Sequence, residues 1–185
     1  LYATNEDDIA RRHIWSVGFD AANPSALTSG KESQWYPTAL ARGSVAYVNA
    51  GWSDAPQVVV RDAAGKTVSE GPQIPASFPA AAMVEPQLVT FKAPDGLLMH
   101  GELYRANDTL AKHCGVIFVH GGSERQMLPG FHYMEAYANL YETNQYIVNH
   151  GCEVLSVNYR SGVMSGHAFR TAAGVGPRGA SEYQE

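Results

Sequence analysis

Long apolar runs are missing from this chain. No stretch of its 185 residues approaches the roughly 20 continuous apolar residues that span a bilayer, so no transmembrane helix is expected. Runs of like charge are missing as well: 13 Lys and Arg stand against 18 Asp and Glu, scattered to a formal charge of -5. That balance leaves no electrostatic footprint for nucleic acid or anionic lipid. Two cysteines are too few for a disulfide framework. The seven histidines include no His-Glu-x-x-His or His-x-His spacing, and Cys-x-x-Cys is absent, so neither a metal nor a cofactor is expected.

What is present is a globular composition, 45% hydrophobic, with enough apolar side chains for a core. The first residues, Leu1-Tyr2-Ala3-Thr4-Asn5-Glu6-Asp7-Asp8, are too acidic for a signal peptide, and the last, Ser181-Glu182-Tyr183-Gln184-Glu185, carry no terminating feature. Both ends read as cuts. The lack of a leader therefore leaves the compartment open.

Residues 1–85 read as short β-like runs, at 13–19, 44–49 and 57–61, separated by Asn23-Pro24, Ser29-Gly30, Arg42-Gly43 and Asp62-Ala63-Ala64-Gly65. Val58-Val59-Val60 is expected in a sheet covered on both faces. By pattern alone a sandwich, a barrel and a propeller blade suit this spacing equally. Pro72, Pro75, Pro79 and Pro86 among alanines read as a linker, which places a domain boundary between 1–85 and 86–185.

Past the boundary, residues 87–92 and 97–104 flank the turn Pro94-Asp95-Gly96, a hairpin signal. Gly115-Val116-Ile117-Phe118-Val119 is an uninterrupted apolar run of the kind found in buried parallel strands, and it leads directly into His120-Gly121-Gly122. From 132 to 149 the period becomes 3.6: Tyr133, Tyr137, Leu140, Tyr141, Asn144, Ile147 and Val148 share one face, with Gly151 at the C-cap position. Residues 154–160 supply a second buried strand. The result is a β-α-β unit, expected to be parallel and right-handed, and the second half of the chain is assigned to the α/β class.

Glycines at the carboxyl end of a parallel strand lie where α/β folds bind ligands. A glycine pair lets the backbone turn sharply and frees an N–H for an anion, as an oxyanion hole requires, although the same pair also makes a plain strand-to-loop turn.

The chain resembles the prolyl oligopeptidase family of serine peptidases, which includes dipeptidyl and acylaminoacyl peptidases. Val119-His120-Gly121-Gly122, Gln145-Tyr146, Gly151, Val154-Leu155-Ser156-Val157-Asn158-Tyr159-Arg160-Ser161-Gly162, Phe169-Arg170 and Gly179-Ala180-Ser181-Glu182 follow the early peptidase domain of that family in order and spacing. Ala26-Leu27-Thr28-Ser29-Gly30, Trp35-Tyr36-Pro37 and Gly43-Ser44-Val45-Ala46-Tyr47-Val48 resemble the blade motif of its propellers. The resemblance covers residues 87–185 well and 13–61 loosely. It implies the N-terminal half of an α/β-hydrolase domain preceded by a partial all-β propeller, acting on a peptide substrate. It also implies that Gly122 gives one oxyanion N–H, with Gly121 and His120 beside it. His120 takes either a strand-end packing role or that of a donor, since some relatives place a tyrosine donor there. In the hydrolase fold the strands that follow Cys114 and Cys152 are parallel neighbours, but side chains packed side by side in a sheet rarely reach disulfide geometry, so free thiols are expected.

Departures from the family pattern are Ser123, where many relatives carry proline, and Met164-Ser165, where a Gly-Tyr pair is common. A strict Gly-x-Ser-x-Gly nucleophile elbow is absent. Gly51-Trp52-Ser53-Asp54-Ala55 is a near miss among short strands without a following helix, and Gly179-Ala180-Ser181-Glu182-Tyr183 is another at the end of the chain. Family order puts serine, aspartate and histidine beyond Glu185, so this chain alone is expected to be inactive. Gly174-Val175-Gly176-Pro177-Arg178-Gly179 follows no strand and has proline where a phosphate loop needs N–H groups; it reads as an ordinary loop. Two rivals remain: an esterase or lipase of the hydrolase fold, which would lack the propeller-like segment, and a binding protein that has lost the nucleophile. Oligomeric state is left open.

Overall fold

The computed structural model describes residues 1–185 except Leu110, Ser123, Pro177 and Ala180 and the side chains of Ser181 and Gln184. It is sheet-dominated with few helices and divides into two compact units, residues 1–83 with 130–138, and residues 84–129 with 139–185.

In the first unit β1 (Tyr2–Thr4), β2 (His13–Ser16) and β3 (Ser25–Ala26) form a small antiparallel sheet. The next four strands, β4 (Ser33–Ala39), β5 (Val45–Ala50), β6 (Gln57–Arg61) and β7 (Thr67–Gly71), make an antiparallel meander in chain order. The β6–β7 turn is organised by Asp62, whose carboxylate accepts the N–H groups of Ala64 at 3.0 Å and Lys66 at 2.9 Å, an Asx-type turn. Strand β2 is shorter than its apolar run because its pairing with β3 ends at Ser16. Strands β4 and β7 carry Pro37 and a polar run respectively, so neighbouring ladders rather than their own composition make them strands.

Ile14, Tyr47 and Val59 form the apolar core of this unit. Beside them His13, Thr28, Gln34 and Asn49 form a polar chain. The Thr28 hydroxyl donates to Gln34 Oε1 at 2.8 Å, Gln34 Nε2 donates to Asn49 Oδ1 at 2.8 Å, and His13 Nδ1 lies 2.9 Å from Gln34 Oε1. Because that oxygen only accepts, Nδ1 of His13 carries the proton. The expectation for Val58-Val59-Val60 is corrected: Val59 is buried, but Val58 is 48% exposed, so the strand alternates and only one face is covered. Residues 130–138 belong to this unit because Phe131 N–H donates to Gly51 O at 3.1 Å. A Cβ at residue 130 would stand 2.5 Å from that same oxygen, which is why glycine occupies it.

The sheet of the second unit runs β10-β11-β9-β8. Strands β8 (Gln87–Lys92) and β9 (Leu98–Tyr104) are the antiparallel hairpin around Pro94-Asp95-Gly96. Strand β10 (Cys114–Val119) pairs in parallel with β11 (Cys152–Asn158), and the helix α1 (Glu135–Asn149) connects them, as the β-α-β reading expects. Strand β11 pairs antiparallel with β9 on its other side.

Three expectations are corrected here. The helix begins at Glu135 rather than at 132, because His132 Nδ1 accepts Met134 N–H at 3.0 Å and Met134 O receives the N–H groups of Tyr137 and Ala138, each at 3.0 Å, so Met134 is the capping position. On α1 Tyr137, Tyr141, Asn144 and Val148 are buried as expected, while Leu140 is exposed. Strand β10 is apolar but covered on one face only, with Ile117 69% and Val119 60% exposed on the other. Finally, Cys114 and Cys152 are joined by a disulfide. They are direct register partners with Cα atoms 4.8 Å apart, inside the range a disulfide bridges; the expectation of free thiols placed the two side by side but held that such a pair does not reach bonding geometry, and here it does.

Glu102, on β9, is 2% exposed, and Asn158 Nδ2 donates to its Oε1 at 2.9 Å. Burial pushes its carboxyl up to about 8, with Ser156 and Asn158 pulling the other way. Helix α2 (His167–Arg170) adds Phe169 to a core with Ala93 and Met99.

Two outcomes are expected. Denatured, unreduced protein should show no titratable thiol, and reduction should lower stability by on the order of 3–4 kcal/mol from released chain entropy; two free thiols before reduction would contradict the bond. For Glu102, the native state holds a proton that the unfolded chain has lost between about pH 4.5 and about 8. Stability is therefore fully present below that window and falls by about 1.4 kcal/mol per pH unit as pH rises through it. Glu102→Gln should flatten this decline in urea midpoints measured against pH; parallel curves for the two proteins would refute it.

Candidate active site

The residues singled out by sequence, His120, Gly121 and Gly122, follow Val119 at the carboxyl end of β10, beside the end of its parallel partner β11. Together with Val119, Tyr159, Gly176, Glu182 and Tyr183 they line a cleft of about 460 Å³. Gly122 turns the chain at φ +63°, in the left-handed region where a side chain is strained, and it is exposed. Its N–H makes no hydrogen bond among the described residues. The Arg125 guanidinium lies over the same turn: a Cβ on residue 122 would stand 3.3 Å from Arg125 Nε.

His120 is 2% exposed and its ring stacks on Tyr159, with centroids 4.3 Å apart and planes at 20°. The Tyr159 hydroxyl donates to the His120 carbonyl at 2.8 Å, so ring and backbone are held by one side chain. Burial, reinforced by the Arg125 charge and opposed by the Gly121 backbone, pulls the imidazole down to about 4. It is neutral at physiological pH.

Glu182, which also lines the cleft, accepts the Gly176 N–H at 2.7 Å and the Ser161 hydroxyl at 3.1 Å. Burial alone would raise its carboxyl, but these donors and the Arg160 charge hold it below the ordinary range. Arg160, at the end of the β11 segment, has a buried side chain bidentate to Asp95 at 2.7 and 3.0 Å, and its Nε donates to Glu185. Hydrogen bonding to these two carboxylates raises the guanidinium further and holds Asp95 down.

This arrangement offers an uncommitted backbone donor at an exposed glycine, a neutral imidazole and an aromatic wall: groups suited to a polar, uncharged carbonyl that gains negative charge. Tyr159, Arg125 and Glu182 carried no assigned role in the sequence. The available signal for Tyr159 was its place immediately past the end of a parallel strand, where ligand-facing residues of α/β folds gather.

Of the near misses, Ser53 is half-buried in the loop between β5 and β6 and donates to its neighbour Asp54 at 3.2 Å, with no helix between it and β6. In the other, Ala180 and the Ser181 side chain lie outside the described residues, as do Ser123 and Pro177. Met164 adopts φ +73°, the conformation that favours the glycine common there in the resembling family. Among the described residues no group of three or more His, Cys, Asp or Glu is placed to hold a metal, and no helix is long and apolar enough to cross a membrane.

Proton resonances of the His120 ring should show no titration between about pH 5.5 and 8, because a buried imidazole at about 4 is already neutral there. A midpoint near the ordinary histidine value would contradict this environment.

No protein-family model and no curated protein sequence matches the chain. Solved structures do. A puromycin-hydrolysing peptidase of Mycobacterium tuberculosis superposes with a TM-score of 0.69 at 19% identity, over 88% of this chain and 25% of that one. A puromycin hydrolase gives 0.66 at 22% identity, and a mutant puromycin hydrolase complexed with PGG gives 0.65 at 21%, each over 88% of this chain and 24% of the other. The likeness at these identities is one of fold, and this chain spans about a quarter of the length of those peptidase structures.

Proposed function

We propose that this chain is part of a prolyl oligopeptidase-type serine peptidase, contributing the end of a β-propeller, 1–85, and the first half of an α/β-hydrolase domain, 86–185. The observation that carries the reading is the Gly122 turn: a left-handed glycine at the carboxyl end of a parallel strand, lining a cleft, with an N–H that nothing in the described chain engages. The fold likeness to puromycin-hydrolysing peptidases supports it. So does the antiparallel meander β4–β7, a shape suited to a propeller blade and one that a simple esterase has no need of.

On this reading the substrate is a peptide or peptide-like amide. Its carbonyl sits near Gly122, whose N–H donates to the oxygen as it becomes an oxyanion. The second donor is the N–H of the residue after the nucleophile, and the Ser-Asp-His triad is supplied from beyond Glu185. Gly121 leads into the left-handed turn at Gly122, and His120 acts as the neutral packing group that fixes the strand end. On the same reading this chain by itself turns over no amide.

In the full-length protein, Gly122→Val should lower kcat roughly 10²- to 10³-fold with little change in KM, because the donor acts in the transition state. The measurement is steady-state hydrolysis of a chromogenic peptide amide. An unchanged kcat would remove the support for this role.

A further inference from the structure

The carboxyl of Glu102 is fully enclosed on β9, far from the ordinary habit of a glutamate. Its Oε1 accepts Asn158 Nδ2 at 2.9 Å. Asn158, the last residue of β11, then pairs with the backbone of Met127 as another strand would: its Oδ1 accepts Met127 N–H at 2.7 Å and its Nδ2 donates to Met127 O at 3.2 Å. Met127 is five residues beyond Gly122 in a segment without regular secondary structure, yet it and its neighbours Gln126 and Leu128 are buried. A loop so enclosed must place its backbone groups on specific partners.

The same segment is held elsewhere by residues that follow β11. Val163 N–H donates to Arg125 O at 3.2 Å, and Gly162 leaves room for that carbonyl, which a Cβ would approach to 2.8 Å. Tyr159 holds the His120 carbonyl on the other flank of the glycine turn. The turn is therefore fixed from both sides by one stretch of chain, and its innermost support is the Glu102–Asn158 contact.

We infer that Glu102 and Asn158 are positioning residues for the Gly122 donor, acting through Met127 without touching the substrate. Burial keeps Glu102 as the neutral acid, so one oxygen remains an acceptor for Asn158 without an uncompensated charge in the core. A glutamine reproduces that acceptor and a leucine does not. The catalytic consequence rests on the proposed peptidase reading; the anchoring itself does not.

The test is a set of variants of the full-length protein, Asn158→Ala, Glu102→Leu and Glu102→Gln, read by peptide-amide kinetics and by backbone hydrogen exchange over residues 124–129. Asn158→Ala and Glu102→Leu should lose exchange protection at Met127 and lower kcat roughly 10- to 100-fold with KM within about threefold, as a displaced donor would. Glu102→Gln should keep both protection and kcat, which a simple demand for a buried acid would not allow. Protection at Met127 unchanged in Asn158→Ala, or Glu102→Gln as impaired as Glu102→Leu, overturns the anchor. Protection lost with kcat unchanged overturns its catalytic role. If Gly122→Val also leaves kcat unchanged, the peptidase reading is what has failed, and the exchange data still decide the anchor.

Discussion

Parallel pairing of β10 with β11 is the constraint on which the second unit depends. With Val119 opposite Val157, the residues that leave the two strands emerge side by side, which brings His120 against Tyr159 and the glycine turn within reach of Asn158. At the other end the same register sets Cys114 opposite Cys152, where they are bonded. A slip of one residue would turn every side chain of β10 to the opposite face, separating the cysteines and moving the apolar edge of the cleft. Covalent closure at the start of the strands and hydrogen bonds past their ends therefore act on one alignment.

Buried polar groups do most of the positioning. Glu102 and Asn158 are expensive to enclose, and that cost is tolerable because the side-chain amide returns two hydrogen bonds to the backbone of a buried loop. Arg160 plays a comparable part near the surface, tying the Asp95 turn to Glu185 through a guanidinium whose fork matches a carboxylate. In the first unit His13, Thr28, Gln34 and Asn49 link three strands and the loop carrying Thr28 through side chains alone. Gly122 is the contrast: its N–H has no hydrogen-bond partner among the described residues, which is bearable because the turn is exposed to water.

Much of this arrangement was legible in the residues themselves. Pro94-Asp95-Gly96 between apolar runs specifies its hairpin, the 3.6-residue period specifies α1 with Gly151 closing it at φ +94°, and the apolar run before His120-Gly121-Gly122 specifies a strand that ends in a glycine turn. These features depend on neighbours a few positions away, so local chemistry suffices to decide them. Strands β4 and β7 were not legible, because their residues are polar or interrupted and the ladders beside them supply what composition lacks.

What only the tertiary structure decided are properties of residues remote in the chain that become partners. The Cys114–Cys152 bond needed a register, and no spacing of 38 residues announces one. The Glu102–Asn158 contact and the Tyr159 stack on His120 each join segments that no local pattern relates. The open face at Ile117 and Val119 belongs here too: an apolar strand side chain states its preference for burial, but whether anything covers it is settled by the other elements that pack there. Sequence determined which short elements form and where the chain turns; the pairing of β10 with β11 decided which side chains meet, because burial and hydrogen bonding depend on distance in space rather than on distance along the chain.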